Sequence, residues 1–481
     1  MVLCALAAMC FASANEPPPY GVLPSPRQVE WHKTEFYALI HSGLNEIYDK
    51  EWAYGDESFE PYNPKDFDAD HIVDVMKSAG MKGIVLVAKH HGGFCLWPSK
   101  HTAYSVKSTK WRDGKGDLVG EMAKACKKAG LKFGVYLSPW DRNHAEYGRP
   151  AYVDYYRNQL KELLTQYGPL FMVWFDGANG GDGYYGGARE TRTIDRSTYY
   201  GWDTTWQMVR DLQPNACMFS DVGPDVRWVG NESGFAGETC WATYTPVGGS
   251  RPSKPGPGDT KYELGIEGTQ NGKLWIPAEC DTPLRPGWFW HKSQDGKART
   301  PSQLRDVYFQ SVGRGASLNL GLVINTDGKM PEDDEKKLRA FGAYLNGTFA
   351  NNLARGAKVT AASTVWPGSA IGYLVDAKAD TAWCSADGDE HPWIEIDLGG
   401  DKAFDVVELR EKIALGQRVA GWAVDAWQDG GWREVAQGTT IGNRRLVRIP
   451  QTTAGKVRLR ITSTMAPVAL VDFGLYREAT P

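Results

Sequence analysis

Phe171-Met172-Val173-Trp174-Phe175-Asp176-Gly177 is an unbroken apolar and aromatic run that ends in a carboxylate and a glycine. A run without alternation is the pattern of a strand buried on both faces of a parallel sheet. In a barrel of such strands the chemistry lies where the strands end, so Asp176 stands where a catalytic group would. An Asp capping the next helix would give the same local pattern.

Outward from this stretch the pattern repeats. Strands read over residues 36–40, 83–87, 133–137 and 216–220, and helices over 69–79, 117–129, 152–167 and 198–212. Gly80, Gly130 and Gly168 each follow a helix, as C-terminal caps do. Five consecutive strand–helix units imply right-handed crossovers and an α/β fold, a (β/α)8-like barrel rather than a doubly wound sheet. No Gly-x-Gly-x-x-Gly follows the first strand. Past Ser220 come long segments rich in Gly, Pro and Trp, then an apolar strand over 317–323 and a helix over 332–345. Loops of that length belong to a site more often than to a framework. The expected organisation is a catalytic barrel over 20–345, a linker over 346–356 and a second domain over 357–477. That last segment alternates with period two, as in Trp393-Ile394-Glu395-Ile396-Asp397-Leu398, and reads as a C-terminal all-β sandwich.

The 481 residues suffice for two or three domains, and 42% hydrophobic content supplies large cores. A net charge of −4 offers no electrostatic footprint for nucleic acid, which is excluded as an expected partner. Met1 to Ala14 is a short apolar run closing on Ala12-Ser13-Ala14, a signal-peptide pattern without its charged start, which predicts a secreted or periplasmic protein. No later apolar run approaches the roughly 20 residues of a membrane span. Cys4 and Cys10 lie in that first segment; Cys95, Cys126, Cys217, Cys240, Cys280 and Cys384 are scattered and form no Cys-x-x-Cys pair. This is neither a zinc pattern nor a disulfide scaffold, and few disulfides or none are expected.

His41 closes the first strand, His90 and His91 the second, Tyr136 and Trp140 the third, Asp176 the fourth and Asp221 the fifth. Groups of this kind on one rim describe a binding floor. Adjacent histidines raise the question of a metal, but neighbours on an extended strand point to opposite sides, and no His-x-His or His-x-x-x-His pair is present. No metal and no cofactor are expected. A Gly-x-Ser-x-Gly nucleophile elbow is also missing. Two carboxylates with aromatic walls are what glycoside hydrolysis requires.

Three stretches carry a resemblance: Ala88-Lys89-His90-His91-Gly92-Gly93-Phe94-Cys95-Leu96-Trp97-Pro98-Ser99-Lys100, Gly134-Val135-Tyr136-Leu137-Ser138-Pro139-Trp140 and Val173-Trp174-Phe175-Asp176-Gly177. Together they closely resemble the α-L-fucosidases of glycoside hydrolase family 29, over about residues 20–345. The resemblance implies a retaining exo-enzyme on a barrel, needing no metal, acting on fucosylated oligosaccharides or glycoconjugates, with Asp176 as nucleophile. The segment Asp225-Val226-Arg227-Trp228-Val229-Gly230-Asn231-Glu232-Ser233-Gly234 looks like the branch acting on α-1,3- and α-1,4-linked fucose and implies Glu232 as acid/base, with Glu238, Glu279 and Asp221 as rivals. By the same likeness His41, Glu51, Trp52, His90, His91, Tyr136 and Trp174 would hold the sugar. Trp288 would wall its methyl group or else belong to the core. Many relatives have His-Phe-Gly where this chain has His41-Ser42-Gly43. The C-terminal domain resembles discoidin, or coagulation-factor type C, modules through Tyr373-Leu374-Val375-Asp376 and Thr381-Ala382-Trp383; sugar binding and a packing role both stay open for it. Two other functional readings also stay open at this point, a non-catalytic carbohydrate-binding protein on the same scaffold and a metal-dependent hydrolase.

Overall fold

The computed structural model describes residues 16–363 and 365–481. The signal segment expected over Met1 to Ala14 lies outside the described residues. Eight strands close a barrel: β1 (Phe36–His41), β2 (Gly83–Lys89), β3 (Lys132–Leu137), β4 (Met172–Trp174), β5 (Cys217–Ser220), β6 (Val226–Trp228), β7 (Ala278–Pro283) and β8 (Ser317–Val323). All neighbours pair in parallel, and β8 closes onto β1 with Phe36 beside Leu318.

Helix α1 (Pro26–His32) precedes β1. Helices α2 (Ala69–Ser78), α3 (Leu118–Ala129), α4 (Pro150–Gln166) and α5 (Trp202–Leu212) follow the first four strands, α6 (Pro301–Gln310) follows β7, and α7 (Glu332–Phe349) follows β8. Local chemistry sets the ends of these elements. The Asp117 carboxylate accepts the Gly120 N–H at 2.9 Å to start α3, and Gly130, at φ +75, ends it in a conformation that costs a side-chain-bearing residue more. Strand β2 is buried at every position because helices cover its outer face and the barrel interior takes the other. That interior gathers Tyr37, Leu39, Val85, Val87, Tyr136, Met172, Trp174, Phe219 and Val226, with Trp31 of α1 among them. Helix α7 continues through Phe349, past the Asn346 at which the sequence suggested a linker.

The alternation stops where the sequence lost its regularity. Phe219 of β5 lies beside Val226 of β6, and residues 221–225 alone connect them. Parallel neighbours ordinarily need a crossover of about a dozen residues or more. Here the buried Asp225 carboxylate accepts the Met218 N–H at 2.7 Å and the Arg27 Nε–H at 3.1 Å, so a side chain holds the turn against β5 in place of a helix. Residues 229–277 then run from β6 to β7 with only a small antiparallel pair, Thr243–Tyr244 with Leu274–Trp275, and a short 3-10 turn, Tyr262–Leu264.

The chain divides into two compact units. One is Pro24–Ala350 with Ala479–Pro481; the other combines residues 16–23 with Asn351–Glu478. In the second unit, strands β9 (Lys358–Ala362), β10 (Trp383–Cys384), β11 (Trp393–Glu411), β12 (Val419–Gln428), β13 (Gly431–Gly438), β14 (Arg445–Thr464) and β15 (Ala469–Tyr476) pair antiparallel. The long strands β11 and β14 break register between Asp397 and Lys402, which lets them wrap a core containing Trp383, Trp422, Phe404 and Phe473. Residues 16–23 are strapped to this unit: Tyr20 N–H donates to Leu415 O at 2.9 Å, and Arg418 Nη2 donates to Pro18 O at 2.6 Å. The six cysteines among the described residues are buried free thiols. Among the described residues no helix is long and apolar enough to cross a membrane.

Candidate active site

At the C-terminal ends of the strands lies a cavity of about 460 Å³, lined among others by Trp52, Trp140, Trp174, Asp176, Asp221, Trp228, Glu232, Tyr262 and Asp281. Its floor is an aromatic stack: Trp174 lies flat on Phe219 at 4.1 Å between ring centres and against Tyr136 at 5.1 Å. Beneath the stack, Trp174 Nε1 donates to Glu279 Oε1 at 2.7 Å. Asn319 Nδ2 donates to the same oxygen at 3.0 Å, and the Tyr37 hydroxyl donates to Oε2. Glu279 is wholly buried, and burial pushes its pKa up to about 7. It is therefore a support of the floor, although the sequence left it as a rival acid/base.

Asp176 follows β4 and is fixed at both oxygens. Tyr136 O–H donates to Oδ2 at 2.8 Å, and the Ala178 N–H donates to Oδ1 at 2.7 Å. Gly177 is demanded here, because a Cβ would lie 2.2 Å from Asp221 Oδ2. Asp221, after β5, accepts the Gly258 N–H at 2.6 Å and the Tyr262 hydroxyl at 3.2 Å. Burial, and to a lesser degree the Asp176 charge, bring its pKa up to about 6.

The two histidines after β2 correct an expectation. The strand ends at Lys89, so its alternation no longer governs them, and their rings lie side by side, 4.0 Å between centres and tilted by 37°, rather than pointing apart. Ser138 O–H donates to Trp140 O at 2.8 Å, so its oxygen can only accept from His91 Nδ1, 2.7 Å away. Burial lowers the His91 pKa, which favours the neutral ring. Its Nε2 lone pair then faces Asp176 Oδ2 at 3.9 Å. Two acceptors at that separation suit a hydroxyl hydrogen supplied by a ligand. His41 follows the same logic: Nδ1 is 3.3 Å from Leu39 O, which can only accept, and burial pushes its pKa down to about 3. His90 packs between His91, Tyr136 and Phe289 with Nδ1 buried and unpartnered.

Glu232 sits in a tight turn between Gly230 and Gly234, both at positive φ, closed by Ser233 N–H donating to Asn231 Oδ1 at 3.0 Å. Trp288 Nε1 donates to Glu232 Oε2 at 3.2 Å. Burial raises the Glu232 pKa; Asp176 and Glu51 raise it further, against the Trp288 hydrogen bond. The Trp288 ring lies over Gly321 of β8, where a Cβ would come within 2.5 Å of it. The half-buried Trp288 thus joins the edge of the barrel core to the cavity wall. Glu51 does not line the cavity. Its Oε2 accepts the Trp288 N–H at 3.0 Å and its Oε1 pairs with His291 Nε2 at 2.8 Å, so it fixes the Trp288 loop. Trp52, 52% exposed, stands edge-on to His91 and Trp140 at the mouth.

The ten residues given a role by the resemblance form one connected cluster, of which Trp52, Trp174, Asp176 and Glu232 line the cavity while His41, Glu51, His90, His91, Tyr136 and Trp288 stand next to these. The rival Glu238 pairs with Arg314 and does not line the cavity. Sequence reasoning missed Asp281, whose Oδ1 accepts from Trp228 Nε1 at 2.6 Å, and with it Trp228, Arg196 and Tyr262. The available signal was the alternation of Glu279 and Asp281, polar and inward, with Ala278 and Cys280, which pack in a separate apolar cluster. Among the described residues no three His, Cys, Asp or Glu side chains gather so as to hold a metal ion.

A parallel barrel whose rim sets carboxylates and indoles around one cavity, with histidines packed beside them, has the arrangement of a glycoside hydrolase. The family model described as Alpha-L-fucosidase matches residues 19–348, and that described as F5/8 type C domain matches residues 358–472. The chain belongs to the α-L-fucosidase family. It is 38% identical over 469 residues to Alpha-L-fucosidase 1 of Arabidopsis thaliana, across 96% of this chain and 89% of the relative. Among solved structures, a glycoside hydrolase 29 family member from an unknown rumen bacterium is 40% identical with a TM-score of 0.85, over 96% of this chain and 78% of that one. A Ruminococcus gnavus GH29 fucosidase in complex with fucose is 31% identical with a TM-score of 0.85, over 97% of each chain.

Proposed function

We propose that this hydrolase is a retaining exo-α-L-fucosidase that removes terminal α-1,3- or α-1,4-linked L-fucose from branched glycans, with Asp176 as nucleophile and Glu232 as acid/base. The observation that carries the reading is that both carboxylates line one cavity in contrasting settings. Asp176 is held at both oxygens by hydrogen-bond donors, while burial and, to a lesser degree, the Asp176 charge raise the Glu232 pKa. A second carboxylate beside Asp176 favours hydrolysis over sugar binding alone.

In the first step Asp176 attacks the anomeric carbon as Glu232 delivers its proton to the leaving glycosidic oxygen, giving a glycosyl-enzyme. In the second, Glu232 takes a proton from water, and that water releases fucose with net retention. His41 and His91, neutral with Nδ1 as donor, present Nε2 as an acceptor for sugar hydroxyls, and the Trp174 stack takes the apolar face of the ring. Branch specificity rests on the likeness of the Glu232 segment. Export rests on the Met1 to Ala14 segment alone.

The test is the anomer first released from an α-fucoside, followed by NMR: α-fucose is expected, and β-fucose would mean inversion and withdraw both roles. A panel of Lewis-type trisaccharides and α-1,2-fucosyl lactose checks linkage. Equal or faster cleavage of the α-1,2 compound would end the branch assignment.

A further inference from the structure

The acid/base is expected on an irregular stretch, yet general-acid catalysis requires it to be held to within a fraction of an ångström. Residues 229–277 contain no long helix or strand that could do this, so something else must hold Glu232.

The contacts converge on Asp221. On one side, Asp221 fills the space that a Cβ on Gly177, the residue after the nucleophile, would occupy at 2.2 Å. On the other, its Oδ2 takes the Gly258 N–H and the Tyr262 hydroxyl. The same segment is pinned twice more, by Asn179 Nδ2 donating to Pro257 O at 3.1 Å and by Arg196 Nη1 donating to Gly258 O at 2.7 Å. Gly258 could not carry a side chain, since its Cβ would lie 2.3 Å from Gly177 O.

Residues 262–265 in turn bear on the end of β6. A Cβ on Gly230 would lie 2.4 Å from Tyr262 O, and one on Gly265 would lie 2.7 Å from Trp228 O. Arg227 Nε donates to Gly265 O at 2.9 Å, and the Tyr262 ring meets Trp228 edge-on at 5.2 Å. Glu232 is two residues beyond Gly230, so whatever places Tyr262 places the base of the Glu232 turn.

We propose that Asp221 is a positioning residue: through the Gly258 amide and the Tyr262 hydroxyl it clasps the 257–265 segment to the nucleophile loop, and so sets where Glu232 stands relative to Asp176. The inference rests on the assignment of Glu232 as acid/base. A loosened clasp leaves Asp176 and its donors in place and misplaces the proton donor. The damage should therefore fall on substrates whose leaving group needs that proton.

The experiment measures kcat/KM for Asp221→Ala, Asp221→Asn, Tyr262→Phe and Glu232→Ala on two probes, a Lewis-type trisaccharide and a nitrophenyl α-L-fucoside. For Tyr262→Phe and Asp221→Ala the loss on the trisaccharide should exceed the loss on the aryl fucoside by about tenfold or more, a fraction of what general acid catalysis supplies. Asp221→Asn should recover most of the trisaccharide rate, since its amide oxygen still accepts from Gly258 and Tyr262. Tyr262→Phe removes one oxygen atom and keeps the ring, so it stays informative if Asp221→Ala fails to fold. Equal losses on both probes, or an Asn variant as poor as the Ala variant, would overturn the clasp. If Glu232→Ala itself shows no difference between the probes, the acid/base assignment falls and takes the clasp with it. A difference for Glu232→Ala without one for Tyr262→Phe refutes the clasp alone.

Discussion

Replacing Glu279 with Gln should make the protein more stable at alkaline pH. The wild-type carboxyl is wholly buried under the cavity floor, and burial carries its pKa from 4.5 to about 7 despite donors from Trp174, Tyr37 and Asn319. With the folded pKa above the unfolded one, the folded protein binds the proton more tightly. This contribution to stability is complete below about pH 4.5 and is lost as pH rises to about 7. The gap of 2.5 (7 − 4.5), at about 1.4 kcal/mol for each tenfold, amounts to about 3.5 kcal/mol. Glutamine keeps the shape. Its oxygen can accept from Trp174 and Asn319, and its amide can turn to Tyr37, whose hydroxyl then donates to Ser317 Oγ at 3.2 Å. The assay is urea unfolding of both proteins at about pH 5 and about pH 8. Glu46 and Asp221, also raised by burial, contribute to both and cancel in the comparison. Wild type should lose more stability than E279Q over that range, by more than about 2 kcal/mol. Identical pH dependences would refute the burial argument.

Trp288→Phe removes the N–H that lowers the Glu232 pKa, so the alkaline limb of the kcat/KM profile should move to higher pH; a shift to lower pH would contradict the assignment. Gly321→Ala places a methyl 2.5 Å from the Trp288 ring. It should cost about 1–3 kcal/mol of stability, and lower trisaccharide turnover through the displaced indole, measured by thermal unfolding and steady-state kinetics. Deleting residues 357–481 should leave turnover of an aryl fucoside, because every residue of the candidate site lies before residue 300; a soluble truncated protein without turnover would refute this.

The first five barrel strands were legible because their residues say one thing at every level. Gly83–Lys89 is apolar and buried on both faces, and Gly80, Gly130 and Gly168 stop the intervening helices at positive φ. Strands β6 and β7 were not. Val226–Trp228 has Arg227 at its centre, buried by hydrogen bonds to distant carbonyls, and Ala278–Pro283 turns Glu279 and Asp281 inward. Their polar residues are stable only through partners far along the chain, which a local pattern cannot contain. The site divides in the same way. Asp176, His41 and His91 follow recognisable strands, whereas Asp281, Trp228 and Tyr262 belong to the irregular third of the barrel and become visible only when β6 and β7 are placed. The placement of His90 beside His91 was misread because strand alternation was carried two residues past the end of β2 at Lys89.

Residues 16–23 belong to the sandwich unit, and so do Asn351–Glu478, which makes the barrel an insertion between two segments of one folded body. While that body holds, the Pro24–Ala350 stretch of an unfolding barrel is a tethered loop of 327 residues (350 − 24 + 1), both ends of which run into the sandwich unit. Its disordered state is poorer in conformations than that of an open chain. On loop-closure scaling the difference is comparable to that of a long-range crosslink, about 5–6 kcal/mol. The tether is non-covalent and depends on the hold at Pro18 and Tyr20. It is synthesised before the barrel and completed after it, since its partners Leu415 and Arg418 lie beyond the barrel in sequence. Cutting the strap should therefore lower the barrel's resistance to unfolding without altering a single barrel residue.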